Sequence, residues 1–374
     1  MESFKELIDN RHEYAREWKK RTGGKVLGYL CSYVPEEIAV AAGVLPVRIF
    51  GSHEPQDVAE KHIYSMFCPF CRDCLAQGLL GRYDYLDGLV MAHSCMHLRQ
   101  TYFSWKTNIP LSYTCYIGMP SKPQSPLAKK FLKGELEDFK ESLEEWTGKT
   151  TGNKELDEGI EVLNQNRRLL REIYELRKDE IPPLTGAEAM EIVLSSQVVD
   201  KTEHSNRLSK YLEEIKQRSG KGEKDQVRLM VIGSENDDTE MIKLAESLGG
   251  IVVIDDHCTG TRYFWNEVIP EEDRLSAIAT RYLDRPRCPQ KDFETRSRLP
   301  HIAQLVKGYN VHGAIVIQQK FCDPHELDIP IIMNYLKEEL NTPSLFLEFD
   351  VTFPAGQFRT RIEAFIETLQ LEVV

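Results

Sequence analysis

The sequence contains no apolar run that approaches the ~18–20 residues of a membrane-spanning helix. Its N-terminal segment, MESFKELIDNRHEYAREWKKR, is amphipathic and charged, and it lacks the apolar core of a secretory signal. Positive charge is also in deficit, because 47 lysine and arginine residues face 59 aspartate and glutamate residues, for a formal net charge of −12. Such a surface repels phosphate backbones. We therefore expect a cytoplasmic protein that binds neither membranes nor nucleic acid.

The sequence shows no internal repeat at a fixed period, and its composition is ordinary, with 41% hydrophobic and 28% charged residues. That balance excludes a disordered chain or a fibrous repeat. At roughly 150 residues per domain, the 374 residues predict two or three domains. Each would be large enough to bury a core of its own.

Short apolar runs alternate with helical patterns in both halves of the chain. The predicted strands are 26–33, 45–50, 85–92, 109–117, 227–234, 249–256, 311–322 and 342–350. Alternation of this kind is typical of a parallel sheet with helices on its faces. The predicted fold class is therefore α/β, with two doubly wound parallel-sheet (flavodoxin-like) domains.

The two sets of strands are separated by a long helical region. Its helical patterns are 126–147, 154–178 and 185–218. A polar, glycine-containing stretch at 219–225 is the best linker candidate. The predicted organisation is an N-terminal α/β domain at 1–125, a helical segment at 126–225 and a C-terminal α/β domain at 226–374.

The chain has nine cysteines, an odd number and well below the density of a disulfide-stabilised scaffold. A cytoplasmic protein keeps its thiols reduced, so disulfides explain these residues poorly. Three interpretations remain: buried apolar thiols, a catalytic nucleophile, or a metal or iron–sulfur site.

Most of the cysteines lie near the ends of predicted strands. Those at or after a strand end are Cys31, Cys95, Cys115, Cys258 and Cys322, whereas Cys68, Cys71 and Cys74 lie in the helix that follows the second strand. Ligands of open α/β sheets bind beyond the carboxyl ends of the strands. Random burial would scatter thiols through strand and helix interiors, so these positions indicate a functional edge on both sheets.

Cys68, Cys71 and Cys74 have the spacing C-x2-C-x2-C, which is similar to the start of a ferredoxin-type run. A fourth cysteine followed by proline is missing, and the three side chains would not share one helix face. A zinc site would need four ligands, usually in two close pairs. The pattern favours an iron–sulfur site over zinc or packed thiols. Cys288, in the proline-rich RPRCPQ, is predicted to be structural or exposed, and the sequence leaves open whether it and Cys115 are bystanders.

Four segments, taken in order, resemble one family of enzyme subunits. They are GYLCSYVPEEIAVAAGVLPVRIFG (28–51), CPFCRDCLAQGLLGRYDYLDGLVMAHSCMHLRQTYFSW (68–105), DDHCTGTRYFW (255–265) and IQQKFCDPHELDIP (317–330). Over nearly its whole length the chain resembles the 2-hydroxyacyl-CoA dehydratases and the ATP-dependent (class I) benzoyl-CoA reductases. Its local motifs are most similar to the two cluster-bearing subunits of the reductases, and the double-cubane cluster proteins form a related branch.

The resemblance implies an iron–sulfur cofactor. In that family three cysteines per subunit hold a [4Fe–4S] cluster, and the matching positions here are Cys68, Cys95 and Cys322. Extra cysteines resemble the double-cubane branch, in which six thiolates hold a linked [8Fe–9S] cluster. The extra cysteines are Cys31, Cys71, Cys74 and Cys258, of which Cys31, Cys71 and Cys258 would complete a set of six.

The resemblance also implies the reaction. We expect an iron–sulfur protein that reduces an aromatic acyl-CoA to a cyclic diene-carbonyl-CoA in low-potential one-electron steps, as one part of a larger enzyme. The sequence has no G-x-x-x-x-G-K-[ST] phosphate loop, so ATP hydrolysis and a further [4Fe–4S] cluster would belong to a partner activator. A homologous second cluster-bearing subunit is the other expected partner.

Several other functions remain open. A component of an (R)-2-hydroxyacyl-CoA dehydratase would eliminate water through a ketyl radical and would need one cubane. A homodimeric double-cubane protein would reduce small molecules instead. An electron-transfer protein without catalysis and a plain zinc protein are the remaining alternatives.

Polar residues beside the cysteines are candidates for proton transfer and substrate binding. His97 and His257 are the expected proton donors, and His325 lies three residues after Cys322. Arg262 and Lys320 are the expected contacts for CoA phosphates or a thioester oxygen. Each histidine could equally cap a strand end, and each cation could form a salt bridge.

Overall fold

The computed structural model describes residues 3–54, 57–218, 220, 226–292 and 296–373. Two short helices, α1 (Phe4–Asp9) and α2 (Arg11–Thr22), precede the first strand. Ser3 caps α1 together with Glu6, and Gly23 ends α2 in the left-handed conformation. Among the helices in the described ranges, none has both the length and the apolar character needed to cross a membrane.

The first sheet contains four parallel strands in the order β2-β1-β3-β4. The strands are β1 (Val26–Tyr29), β2 (Leu45–Arg48), β3 (Gly88–Ala92) and β4 (Tyr113–Ile117), and the crossover helices are α3 (Glu36–Ala41), α4 (Pro69–Leu79) and α5 (Met96–Asn108). Every residue of β1, β2 and β3 is buried, as expected for strands covered by helices on both faces.

Four helices form the middle of the chain. They are α6 (Ala128–Thr147), α7 (Asn153–Glu175), α8 (Gly186–Ser196) and α9 (Lys201–Ile215). α6 buries an apolar stripe at helical spacing, formed by Leu132, Leu136, Phe139 and Leu143. α7 packs against α3 and α9, and α8 packs against the second sheet, so the middle segment contacts both sheet regions.

The second sheet repeats the topology of the first, with the order β6-β5-β7-β8 and parallel pairing throughout. Its strands are β5 (Val227–Gly233), β6 (Gly250–Asp256), β7 (Gly313–Gln319) and β8 (Ser344–Phe349). The helices around it are α10 (Glu240–Ser247), α11 (Thr261–Phe264), α12 (Arg274–Asp284), α13 (Arg298–Gly308), α14 (Asp323–Glu338) and α15 (Ala355–Val373).

The predicted fold class is confirmed, because both four-stranded parallel sheets are present with helices around them. Several strands are shorter than predicted: 26–33 ends at Tyr29, 109–117 begins at Tyr113, and 311–322 ends at Gln319. The loops that follow Tyr29 and Gln319 at the carboxyl edge carry Cys31 and Cys322. All but residue 220 of the predicted linker 219–225 lies outside the described residues. The division into domains stays a prediction.

The two sheets change strand order at equivalent places, between β1 and β3 in the first sheet and between β5 and β7 in the second. Chain reversal at such a point leaves a crevice beyond the carboxyl ends, where doubly wound proteins bind ligands. The segments that follow these four strands line one shared cavity. The topology therefore brings both functional edges to a single site.

Candidate functional site

One cavity of about 70 Å³ lies between the carboxyl edges of the two sheets. Seven of the nine cysteines line it: Cys31, Cys68, Cys71, Cys95, Cys258, Cys288 and Cys322. A larger surface cavity of about 550 Å³ runs along α5 and has no cysteine in its lining among the described residues. The concentration of thiols, not the volume, marks the smaller cavity as the candidate site.

Three cavity cysteines occupy the N-cap positions of long helices. Cys68 precedes α4, Cys95 precedes α5, and Cys322 precedes α14. None of the three uses its sulfur to cap its helix, so each sulfur stays free for another ligand. The N-terminal ends of helices carry partial positive charge and stabilise anions. These three ends therefore favour thiolates and an anionic group in the cavity.

Three further cavity cysteines lie in loops. Cys31 follows β1 by two residues, and Cys258 follows β6 by two residues. Cys288 caps the short 3-10 helix Pro289–Lys291, and its backbone N–H donates to the hydroxyl oxygen of Tyr33 at 3.1 Å. The expectation that Cys288 is structural or exposed is wrong, since its side chain lines the cavity. The pair Cys288-Pro289 repeats Cys68-Pro69, and that signal could have identified it.

The remaining three cysteines differ from these six. Cys71 lies inside α4, and although it also lines the cavity, its thiol is hydrogen-bonded to that of Cys68. Burial raises the pKa of Cys71 to about 11. The thiol of Cys74 donates to the carbonyl oxygen of Ile49 at 3.6 Å. Cys115 lies in the middle of β4 instead of at a strand end, and it does not line the cavity.

Buried cations surround the cysteines. The guanidinium of Arg48 lies 3.5 Å from Sγ of Cys258, and Arg262 is 1% exposed. Burial alone would raise the pKa of Cys258, but Arg48 and Arg262 outweigh it and hold that pKa below its ordinary value. Lys291 is also buried, and its ammonium donates to the carbonyl oxygen of Met119 at 3.3 Å. Burial of so much positive charge is costly without an anion nearby.

Several buried polar atoms at the cavity have no hydrogen-bond partner in the described part of the chain. They are Oε1 of Glu235, Oγ of Ser94, Nε2 of His325 and Nε of Arg48. Burial raises the pKa of Glu235 well above its ordinary value. Buried polar groups are nearly always satisfied, so a set without partners around one cavity indicates a missing bound group.

The donor set identifies the kind of group that fits. Within the described ranges, no three His, Cys, Asp or Glu side chains are close enough together to hold a single metal ion. The thiols surround the cavity instead of converging on one point. An iron–sulfur cluster is bound in this way, because each thiolate binds a different iron atom. The sulfur donors, the helix N-termini and the buried cations together fit an anionic iron–sulfur cluster.

The two expected proton donors lie beside the cavity, but neither is among its lining residues. Nδ1 of His97 accepts a hydrogen bond from the backbone N–H of Cys68 at 3.1 Å, and its Nε2 lies 3.5 Å from Asp323. His257 is fully buried, and its Nδ1 donates to the carbonyl oxygen of Ser234 at 2.8 Å. The roles of His97 and His257 in proton transfer stay predictions.

His325 is the histidine that lines the cavity. Its Nδ1 lies 3.2 Å from Sγ of Cys322, one turn earlier at the start of α14. The sequence places His325 near a cysteine but favours His257, because no local pattern shows which imidazole faces the cavity. The contact indicates that His325 orients the sulfur of Cys322.

The two cations expected to bind CoA have different surroundings. Arg262 is buried, with Nε 3.3 Å from Asp256 and Nη2 donating to the carbonyl oxygen of Gly233 at 3.2 Å. It is therefore not placed to meet a phosphate at the protein surface. Lys320 is about half exposed, and its ammonium lies 3.8 Å from the carboxylate of Asp350. Its role in CoA binding stays a prediction.

Comparison with known proteins agrees with this site. The sequence model of the family described as 2-hydroxyglutaryl-CoA dehydratase, D-component, matches residues 31–369. The (R)-phenyllactyl-CoA dehydratase beta subunit of Clostridium sporogenes is 26% identical, over 98% of this chain and 97% of its own length. One of the benzoyl-CoA reductase subunits of Thauera aromatica is 27% identical, over 96% and 94%. The beta subunit of (R)-2-hydroxyglutaryl-CoA dehydratase from Acidaminococcus fermentans is 27% identical, over 94% of each chain.

These relatives include lyases and a reductase at nearly equal identity, so similarity alone does not separate the two reactions. The resemblance drawn from the sequence motifs is nevertheless confirmed over most of the chain. This chain belongs to the 2-hydroxyglutaryl-CoA dehydratase D-component family, alongside the beta subunits of dehydratases and one of the benzoyl-CoA reductase subunits.

Proposed function

We propose that this chain is the iron–sulfur subunit of a low-potential reductase of the benzoyl-CoA reductase type, acting on an aromatic acyl-CoA. One observation carries the proposal: six cysteines at the ends of helices and strands, drawn from both sheet regions, line a single cavity. A dehydratase with one cubane would need three of them. The surplus thiols favour a larger cluster and therefore a reductase.

The cysteines proposed to hold a linked [8Fe–9S] cluster are Cys31, Cys68, Cys95, Cys258, Cys288 and Cys322. This set replaces Cys71, which was expected from the sequence, with Cys288. Cys71 lies inside α4 with its thiol bonded to Cys68, whereas Cys288 begins a short helix, as Cys68 does. When bound, such a cluster supplies electrons one at a time at low potential.

The residues around the cysteines would prepare the cavity for this group. Arg48 and Arg262 compensate negative charge, and His325 holds the sulfur of Cys322. Buried apolar side chains, including Leu30 and Phe70, line the same cavity and restrict water. Exclusion of water protects a reactive, low-potential centre and strengthens the electrostatic contacts around it.

The proposal includes two partners. A separate activator that hydrolyses ATP and carries its own [4Fe–4S] cluster would deliver the electrons, because this sequence has no phosphate loop. A homologous second cluster-bearing subunit would complete the enzyme. The relatives' names support a multi-subunit enzyme, because each name designates one subunit among several.

A second candidate function is a homodimeric double-cubane reductase that acts on small molecules. The size of the cavity favours it, since about 70 Å³ enclosed by buried side chains leaves little room for an aromatic acyl group. An acyl-CoA would require the cavity to open. The two candidates share the cluster and differ in substrate and in the need for a second, different subunit.

The first experiment is anaerobic purification with measurement of iron and acid-labile sulfide per chain and identification of the co-purifying subunits. About eight iron and nine sulfide per chain would support the double cubane, and about four iron would favour the dehydratase. A homologous second subunit with ATP-dependent consumption of benzoyl-CoA would favour the first candidate. A homodimer that reduces only small molecules would favour the second, and a chain without iron would refute both.

A matched pair of variants tests the ligand set. Cys288→Ser removes a proposed ligand and is expected to lower the iron content and to change the cluster spectrum. Cys71→Ser is expected to retain the wild-type iron content, because its thiol bonds to Cys68 from inside α4. Loss of iron in Cys71→Ser with none in Cys288→Ser would show that the proposed set is wrong.

A further inference from the structure

Arg48 joins three parts of the chain at the wall of the cysteine cavity. It ends β2, and its side chain is 1% exposed. Its Nη1 donates to Oε1 of Gln197 at 2.7 Å and to the carbonyl oxygen of Cys258 at 2.9 Å. Gln197 in turn donates from Nε2 to the carbonyl oxygen of Thr259 at 2.9 Å. The first sheet, the end of α8 and the loop that carries Cys258 therefore meet at one guanidinium.

The partners of this guanidinium leave its charge without a directly bonded counter-charge. In the described part of the chain they are an amide, a carbonyl and the thiol of Cys258, whose Sγ lies 3.5 Å from Nη2. Nε has no hydrogen-bond partner there. A buried, uncompensated guanidinium is costly, and a thiolate at Cys258 would compensate it. The arrangement therefore favours an anionic sulfur at this position.

We propose, building on the function proposed above, that Arg48 is a positioning residue of the iron–sulfur site. It fixes the loop of Cys258 against the first sheet and donates a charge-assisted hydrogen bond to the sulfur. Cluster potentials depend on hydrogen bonds to the sulfurs and on the nearby net charge. Arg48 thus makes the bound cluster easier to reduce than it would be beside a neutral side chain.

Two substitutions separate the charge of Arg48 from its geometry. Arg48→Met removes both the charge and the donors, whereas Arg48→Lys keeps a charge but loses the planar fork. The matched control is Arg177→Met, because Arg177 is another buried arginine, bonded to the carbonyl of Val252 and stacked on Tyr174, and it does not line the cavity. All three variants leave the cysteines unchanged.

The cluster potential is measured by redox titration under EPR, and hydrogen–deuterium exchange is followed in the peptide spanning 257–262. Arg48→Met is expected to shift the midpoint potential to more negative values and to speed exchange in that peptide. Arg48→Lys is expected to shift the potential less while also speeding exchange. Arg177→Met is expected to change neither.

An unchanged potential in Arg48→Met, or an equal shift in Arg177→Met, would overturn the inference. These measurements do not depend on the substrate, so failure to reduce benzoyl-CoA leaves them decisive. Should the purified wild type hold no iron, the proposed function fails separately. Hydrogen exchange then decides whether Arg48 positions the loop, and exchange unchanged by Arg48→Met refutes that role.

Discussion

A buried ion pair between α3 and α7 supports the loop that carries Cys31. Glu37 is 0% exposed, and its Oε1 accepts a hydrogen bond from Nη2 of Arg167 at 2.6 Å. The hydroxyl of Tyr282 in α12 donates to the other oxygen of Glu37 at 3.0 Å and approaches the carbonyl oxygen of Val34 at 2.9 Å. The carboxylate therefore connects the first sheet region, the middle helices and the second sheet region.

The cost of neutralising this carboxylate follows from its burial. Burial raises the pKa of Glu37, but Arg167 and Arg281 outweigh it and hold the pKa below its ordinary value, so Glu37 is charged in the fold. Glu37→Gln would leave Arg167 buried without its counter-charge. Removal of one partner from a buried pair costs about 3–5 kcal/mol. The double variant Glu37→Gln/Arg167→Met removes both charges and is expected to be more stable than Glu37→Gln alone.

The assay is urea unfolding of the wild type, both single variants and the double variant under identical anaerobic conditions. Far-UV circular dichroism and tryptophan fluorescence should report the same transition, because the carboxylate connects all three regions. A loss below about 1 kcal/mol in Glu37→Gln would refute the reasoning, since that is the range of an exposed pair. Additive losses in the double variant would refute the coupling between the two charges.

Three further predictions concern stability. Burial lowers the pKa of His204 to about 3; the unfolded chain therefore gains a proton first, and stability should fall below pH 6.5 by about 1.4 kcal/mol per pH unit, a slope that His204→Gln should reduce and that would argue against this account if unchanged. Gly134→Ala, inside α6 with open space at the added Cβ, should raise the urea midpoint by the equivalent of about 1 kcal/mol. Gly233→Ala should strongly lower it, because its φ is 136° and its Cβ would lie 2.0 Å from the carbonyl oxygen of Ile317; equal midpoints for these two alanine variants would contradict both.

The sequence is sufficient to predict the fold class and much of the site. Buried parallel strands produce continuous apolar runs, and helices produce their own spacing, so local pattern identifies all eight strands of the described residues. Strand ends in a doubly wound sheet share one edge, and this rule alone places Cys31, Cys95, Cys258 and Cys322 around a common site. These features depend on residues close together in the chain.

Tertiary structure decides the membership and the electrostatics of the site. Cys115 and Cys288 cannot be distinguished by local pattern, because the sheet register places one in mid-strand while the packing of a distant loop brings the other to the cavity. Arg262 has the local sequence of a surface cation, but packing against Asp256 buries it. Arg48 meets Cys258 only because two sheets far apart in the chain face each other. Such contacts depend on distances between remote segments, which the fold fixes and residue order does not.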